Sequence, residues 1–216
     1  MALVMKVLYA VIFSTVLAAG ASPAGASPKE EAQKLARADE FKKPVILVAV
    51  KGLQGLYRET VLYAKPLVNA HLGFIVNRPS KLRLGTLFPN HGPSEKIKDP
   101  VYFGGPEMVE AIFVVTEGTE RPHQTSLPFG ENLFVTTRGN AVDAIIELAG
   151  NDAKKMTTTR FFAGFVGWRP NELEKEVKAG YWHVLDAPAP GFFFHEQGEG
   201  LWKILIEQIE MKEKGI

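Results

Sequence analysis

Short runs of β-branched and aromatic residues recur along the chain, separated by turns rich in glycine and proline. Runs of about four to eight such residues are typical of strands, whereas helices need longer periodic segments. Residues 59–63 alternate apolar and polar positions, which predicts a strand with one solvated face. The other predicted strands are residues 45–50, 72–76, 101–103, 111–115, 133–136, 161–166 and 181–185.

Helical spacing of apolar residues is confined to a few segments. Asn140 is the predicted N-cap of a helix over residues 141–149, and Pro170 is predicted to open a second helix that Gly180 ends. Residues 84–88 are predicted to form a single helical turn. The last predicted helix places four apolar side chains on one face: Trp202, Leu205, Ile206 and Ile209.

The order of these elements predicts the fold class. Strands and helices alternate irregularly, and several strands follow one another directly, which is typical of an α+β fold rather than a doubly wound parallel sheet. We predict a single compact domain over residues 44–216, with a mixed or antiparallel sheet or a barrel-like core and flanking helices. Residues 116–132, rich in glycine, proline and threonine, are predicted to form a polar loop.

The first 26 residues have the pattern of a secretory signal peptide. Lys6 is their only charge, and residues 7–19 form an uncharged, mostly apolar run. Two small-x-small sites end the pattern; cleavage after Ala26 is favoured and cleavage after Ala21 stays open. The alternatives are an uncleaved N-terminal membrane anchor, which would need about 20 apolar residues, and a chain whose true start lies further on. We therefore predict an exported, periplasmic protein.

A charged, helix-prone lead-in follows the signal at residues 27–43, and Pro44 ends it. The whole chain has 25 lysine and arginine residues against 24 aspartate and glutamate residues. Because Lys6 would leave with the signal, the cleaved chain would carry no net charge. A neutral chain argues against general binding to nucleic acid, which requires a basic face.

The residues offer little recognisable chemistry. The chain has no cysteine, which excludes disulfides, thiolate nucleophiles and cysteine-based metal sites. It also lacks the serine-hydrolase elbow, the phosphate loop, the HExxH zinc motif and the dinucleotide fingerprint. The nearest approach to a metal motif is His195-Glu196 with Glu199, in a segment that glycines interrupt. We predict no catalytic residue, no metal site and no cofactor.

Two polar or glycine-rich segments are candidates for binding. Gly104 and Gly105, before Pro106, either expose backbone amides to an anion or form a tight turn. The basic stretch of Arg78, Lys81 and Arg83 either binds an acidic ligand or forms a solvated edge.

Two aromatic features allow alternative interpretations in the same way. Trp168, after Gly167, is either the floor of a pocket or an anchor of the core. Residues 192–194 are three consecutive phenylalanines, which are either buried on both sides or offer an apolar patch to a partner.

Four short motifs occur in an order that resembles the AlgH/YqgE family. They are N-R-P at residues 77–79, G-G-P at 104–106, A-G-x-x-G-W at 163–168 and L-E at 173–174. The resemblance covers roughly residues 45–209 and implies a compact α+β domain without an established biochemical activity. It implies that any shared functional surface includes seven residues: Asn77, Arg78, Gly104, Gly105, Pro106, Gly167 and Trp168.

The sequence departs from the family pattern at two places. It adds a signal and a charged lead-in, and it has Arg169-Pro170-Asn171 where relatives have small residues and a glutamine. The family's regulatory label implies a role in transcription, which an exported protein would not perform.

We therefore expect a non-catalytic binding or interaction domain of the cell envelope. One alternative is an enzyme of unrecognised type with an anion site at Asn77, Arg78, Gly104 and Gly105. The other is the transcriptional regulator of the family label. The expected partner is an unknown protein or a small anionic ligand rather than nucleic acid. No stable membrane span is expected after signal cleavage, and self-association stays open.

Overall fold

Ten strands form one curled, mostly antiparallel sheet in the computed structural model, which describes residues 41–187, 190–194, 198 and 200–215. The strands in chain order are β1 (Val45–Ala49), β2 (Val61–Pro66), β3 (His71–Ile75), β4 (Pro79–Arg83), β5 (Pro100–Phe103), β6 (Glu107–Glu117), β7 (Leu127–Gly130), β8 (Leu133–Thr136), β9 (Thr159–Trp168) and β10 (Trp182–Asp186).

The described helices are mostly short. They are α1 (Leu84–Leu87), α2 (Gly92–Lys96), α3 (Gly139–Asn151), α4 (Ala153–Thr157), α5 (Glu172–Lys178) and α6 (Gly200–Glu213). Two 3₁₀ helices lie at Gly55–Tyr57 and Pro190–Phe194. No described helix is long and apolar enough to span a membrane.

Strand β9 is the centre of the sheet. The main path runs β10-β1-β2-β3-β9-β6-β8-β7, and β4 and β5 branch from it because β5 also pairs with β9. The β5–β9 pair is parallel, whereas the other pairs are antiparallel. The predicted α+β class with a largely antiparallel sheet is confirmed.

An aromatic cluster fills the concave side of the sheet. Phe129 of β7 lies 5.2 Å from the ring of Tyr63 in β2, although these two strands do not pair. The sheet therefore curls into half of a barrel. Phe74 lies at the centre, with its ring 4.9 Å from that of Phe162 and 5.4 Å from that of Phe129. Helix α6 covers this side, and the Trp202 indole donates a hydrogen bond to the Ala49 carbonyl at 2.7 Å.

The convex side carries two further clusters, one beneath α5 and one beneath α3. Strand β2 is therefore covered on both faces: Val61 and Tyr63 belong to the concave cluster, and Leu62 and Ala64 belong to the cluster beneath α5. The strand predicted at residues 59–63 is present but shifted to Val61–Pro66, and the prediction that one of its faces is solvated was wrong. Local alternation could not reveal that the second face is covered from a distant part of the chain.

Other sequence predictions need smaller corrections. The expected polar loop over residues 116–132 contains strand β7, whose Phe129 is buried. The first proposed N-cap, Asn140, lies inside α3, which starts at Gly139. The phenylalanines at 192–194 lie on a 3₁₀ helix, with Phe193 buried at 1% exposure and its two neighbours half-buried.

The N-terminal predictions fall mostly outside the described residues. The signal peptide at residues 1–26 and the lead-in up to residue 40 lie there, and the domain boundary at residue 44 stays a prediction. Phe41, at the end of the predicted lead-in, is buried at 6% exposure. Its carbonyl lies 3.2 Å from Nε2 of His71, so the chain contacts the domain before the predicted boundary.

Candidate functional site

The N-R-P motif follows β3 and is bonded to the chain that leads into β2. Asn77 is buried at 4% exposure. Its Oδ1 accepts a hydrogen bond from the Val61 amide at 2.8 Å, and its Nδ2 donates to the Glu59 carbonyl at 2.9 Å. Glu59 has a φ of 53°, in the left-handed region. Asn77 therefore bonds the backbone on both sides of Thr60 and stabilises the bend that begins at Glu59.

Arg78 is bonded to the same stretch of chain. Its guanidinium donates to the Leu56 carbonyl at 2.7 Å, to the Arg58 carbonyl at 3.2 Å and to Oγ1 of Thr60 at 2.7 Å. It also lies over the Phe103 ring, 5.9 Å from the centroid. Partial burial lowers the pKa of Arg78 from its ordinary value. The side chain thus holds residues 55–60 against the sheet.

The Gly104-Gly105 bend is a close crossing of the chain over β9. A Cβ atom on Gly104 would lie 2.3 Å from the Gly164 carbonyl oxygen, and one on Gly105 would lie 2.2 Å from the Phe165 carbonyl oxygen. The Gly104 amide donates to the Ala163 carbonyl at 2.8 Å. These glycines permit backbone contact, and the Gly104 amide is already paired, so the geometry favours a packed turn over an anion nest.

Trp168 is an anchor of the core. It is 3% exposed, and its ring leaves no room for a Cβ atom on Gly73, which would lie 2.9 Å from Cζ3. The Trp168 indole donates to Oε2 of Glu176 at 3.1 Å, and the Trp182 indole donates to the same oxygen at 2.8 Å. Two tryptophans on different strands are thereby tied to α5 through one carboxylate.

Acidic groups surround Tyr57, which packs on the Trp182 ring at 5.5 Å. Burial, reinforced by Glu176, Glu107 and Glu172, raises the pKa of Tyr57 to about 12, and Arg78 acts in the opposite direction. We call these five residues the Tyr57 surface: Tyr57, Arg78, Glu107, Glu172 and Glu176. Its carboxylates outnumber its one guanidinium, and this balance disfavours a bound anion.

The structure brings the sequence-predicted residues into one region. The Phe103 amide donates to the Arg78 carbonyl at 2.9 Å, and the Ile75 amide donates to the Gly104 carbonyl at 2.8 Å, which joins the N-R-P and G-G-P motifs. Trp168 joins them indirectly through Glu176 and the Tyr57 surface. Pro106 and Gly167 are exposed at the margin. The binding role of all seven residues stays a prediction.

Sequence reasoning did not single out five members of this region as site residues: Tyr57, Glu107, Glu172, Glu176 and Trp182. The four-residue spacing of Glu172 and Glu176 places both on one face of α5 and could have indicated a shared environment. The shared hydrogen bonding of Trp168 and Trp182 to Glu176 had no such signal, because the two tryptophans belong to strands at different positions in the sheet.

Two other kinds of candidate site are a metal-binding cluster and a cavity. Within the described residues, no group of three or more His, Asp or Glu side chains could hold a metal ion, and the His195-Glu196 segment falls outside them. A cavity of about 180 Å³ lies between Lys43, Tyr63, Glu131 and Asp186, and one of about 50 Å³ lies beside Thr116 and Ile145. Neither contains a predicted site residue.

Comparison with known proteins now identifies the family. Residues 37–214 match the family described as AlgH-like, and this range covers the whole sheet and the Tyr57 surface. The chain belongs to the AlgH-like family. The match leaves residues 1–36 outside the shared domain.

Bacterial relatives support the same assignment. A UPF0301 protein of Myxococcus xanthus is 33% identical over 164 residues, which cover 74% of this chain and 86% of the relative. A UPF0301 protein of Caulobacter vibrioides is 31% identical over 170 residues, covering 76% of this chain and 84% of the relative. Neither name specifies an activity.

Two solved structures share the AlgH-like fold. The AlgH protein of Pseudomonas aeruginosa superposes with a TM-score of 0.62 at 24% identity, over 78% of this chain and 89% of that protein. A protein of Corynebacterium diphtheriae superposes with a TM-score of 0.58 at 18% identity, over 76% of this chain and 85% of that protein.

The hydrogen bonds of Asn77 predict that replacing this side chain lowers the stability of the fold. We expect Asn77→Ala to lower the free energy of unfolding by about 1–3 kcal/mol, because the buried Val61 amide loses its acceptor. Asn151→Ala is the matched control: its side chain is exposed and bonds the Glu147 carbonyl at 2.9 Å. Denaturant unfolding compares the two, and equal losses would contradict the role of Asn77.

The G-G-P crossing predicts a larger sensitivity to a single methyl group. We expect Gly105→Ala to destabilise the fold by at least about 2 kcal/mol, since the new Cβ would overlap the β9 backbone. Gly139→Ala, whose Cβ would meet nothing within 4 Å, is expected to be neutral or slightly stabilising. Thermal unfolding of both variants checks this; a Gly105→Ala protein as stable as the parent would show that the crossing is loose.

Proposed function

We propose that this chain is an exported, non-catalytic interaction domain that binds another protein in the cell envelope. One observation carries the non-catalytic part: the polar side chains of the N-R-P motif are already bonded to the protein's own backbone. Asn77 bonds Val61 and Glu59, and Arg78 bonds Leu56 and Arg58. Side chains held in this way shape a fixed surface and are poorly placed to transfer protons or attack a substrate.

The enzyme alternative requires an anion at Asn77, Arg78, Gly104 and Gly105. Such an anion would compete with three existing hydrogen bonds of the Arg78 guanidinium. It would also approach the carboxylates of Glu107, Glu172 and Glu176, which already act together on Tyr57. Both costs support the interaction domain over the enzyme. The regulator alternative draws support only from the family label, and a chain with balanced charge offers little to DNA.

Support for export comes from the first 26 residues, where one lysine precedes an apolar run and two small-x-small sites. The AlgH-like match begins at residue 37, so this pattern lies outside the part that the relatives share. The proposed location therefore rests on residues outside the family match.

Export has a direct test in fractionated native cells. We expect a protein in the envelope fraction whose N-terminus is Ser27, or Ser22 if the earlier site is cleaved, by intact mass and N-terminal sequencing. A full-length protein in the membrane fraction would indicate an anchor. A cytoplasmic protein would contradict export and favour the regulator alternative.

The non-catalytic part is tested separately with the purified protein. We expect no turnover above background with generic ester, phosphate and peptide substrates. Arg78→Lys keeps the positive charge but loses the planar set of donors, and its turnover is expected to equal that of the parent. Turnover by the parent that falls in Arg78→Lys would favour the enzyme alternative.

A further inference from the structure

Strand β4 has an unusual position for an edge strand of this sheet. It pairs with β5 on one side, and no described strand lies on its other edge. Its last three residues, Lys81, Leu82 and Arg83, are all exposed, so neither face of the strand is covered there. Leu82, the apolar residue of the three, is 43% exposed. This end of β4 therefore presents an open backbone edge together with both rows of side chains.

Internal bonds nevertheless keep β4 extended. Ser80 Oγ donates to the Val101 carbonyl at 2.6 Å and accepts from the Leu82 amide at 3.0 Å, where the β4–β5 register shifts. Arg83 has φ −115° and ψ 147°, which is strand geometry. A partner strand would meet an edge that is already in the conformation required for pairing, so little ordering is needed.

The charge on this edge is positive and not neutralised. Lys81 and Arg83 are two residues apart and lie on the same face of the strand, about 7 Å from each other. Neither forms an ion pair with a carboxylate among the described residues. An acidic segment in extended conformation places alternate side chains at the same spacing.

Strand β7, at the far end of the main path, shows how this fold closes an edge. Pro128 removes one backbone donor from β7, and the Lys65 ammonium donates to the Pro128 carbonyl. Phe129 is buried in the concave cluster. Strand β4 has its proline only at the start, and no described side chain from another strand bonds its exposed end. Described residues therefore protect the β7 edge against pairing with a further strand, and they do not protect the end of β4 in this way.

We propose that the outer edge of β4 binds an extended acidic segment of a partner protein, which adds a strand beside Lys81, Leu82 and Arg83. Backbone hydrogen bonds would supply affinity, and the two cations would select acidic side chains at alternate positions. This deepens the proposed interaction function and depends on it for its biological setting. Two cations on one strand suit such a peptide better than a membrane or nucleic acid, which require a broad basic field.

The test uses two capped heptapeptides, one alternating glutamate with valine and one alternating lysine with valine. We expect the glutamate peptide to bind at millimolar concentration and low salt, and to slow hydrogen exchange of the β4 amides. In the double variant Lys81→Glu/Arg83→Glu we expect its affinity to fall at least about tenfold, with the lysine peptide becoming the better ligand. Because both positions are exposed, the unfolding midpoint of this variant should match that of the parent.

A control variant separates local charge from net charge. Lys178→Glu/Lys203→Glu changes the net charge by the same amount on α5 and α6, which pack against β10 and β1. We expect it to change the affinity for the glutamate peptide less than about threefold. Equal losses in the two double variants would show a non-specific charge effect and overturn the proposal.

Other occupants of the edge give different results. Binding to anionic phospholipid vesicles that is lost in Lys81→Glu/Arg83→Glu, without peptide binding, would assign the edge to a membrane. A dimer that the same variant dissociates would assign it to a second copy of the chain. Exchange protection by the glutamate peptide at strands other than β4 would also overturn the proposal.

The outcome is separable from that of the proposed function. An envelope protein of the expected mass that does not bind the glutamate peptide would leave the proposed function standing and overturn strand addition. A cytoplasmic protein that binds the peptide at β4 would overturn the proposed function in the envelope and leave strand addition standing.

Discussion

The backbone crossing between the Gly104-Gly105 bend and β9 is the constraint on which the rest of this structure depends. Three glycines meet there: side chains on Gly104 and Gly105 would overlap the backbone at Gly164 and Phe165, and one on Gly164 would lie 2.4 Å from the Gly105 carbonyl oxygen. Gly164 also has a φ of 72°, which favours glycine on its own account. Because the chains approach so closely, β5 can run parallel to β9 and the chain can then turn back so that β6 pairs with the same strand antiparallel.

The crossing also places the polar residues of the candidate site. The Gly104 carbonyl accepts from the Ile75 amide at the end of β3, so the N-R-P motif emerges directly beside the bend. From there Asn77 and Arg78 reach the 55–60 segment and bond it, and that segment carries Tyr57 to the Trp182 ring. Motifs that suggest an anion site in sequence thus form a connected structural unit. Their polar groups stabilise a bend, and the surface that results is acidic around Tyr57.

The two surfaces of the domain differ in sign and in construction. The Tyr57 surface combines one half-buried aromatic ring with three carboxylates, and its arginine is bonded internally. Among the described residues, the two cations at the end of β4 have no carboxylate partner, and no strand pairs with its outer backbone edge. An almost neutral chain can therefore still present local fields of opposite sign. For an interaction domain, this separation gives a partner both a preferred site and a preferred orientation.

Local sequence patterns were sufficient for the features that depend on neighbouring residues. All eight predicted strands overlap observed strands, although β2 is shifted to Val61–Pro66. These strands and the α+β class follow from alternation, β-branched runs and turn residues, and the ordered motifs were sufficient to indicate the family. Tertiary contacts decided the rest. The double burial of β2, the strand within residues 116–132 and the Trp168–Glu176–Trp182 contact all depend on residues far apart in the chain. Tertiary contacts also decided the role of the site residues. A glycine pair or an arginine has the same sequence signature in an anion site and in a packed crossing. Only the atoms that surround these residues distinguish the two.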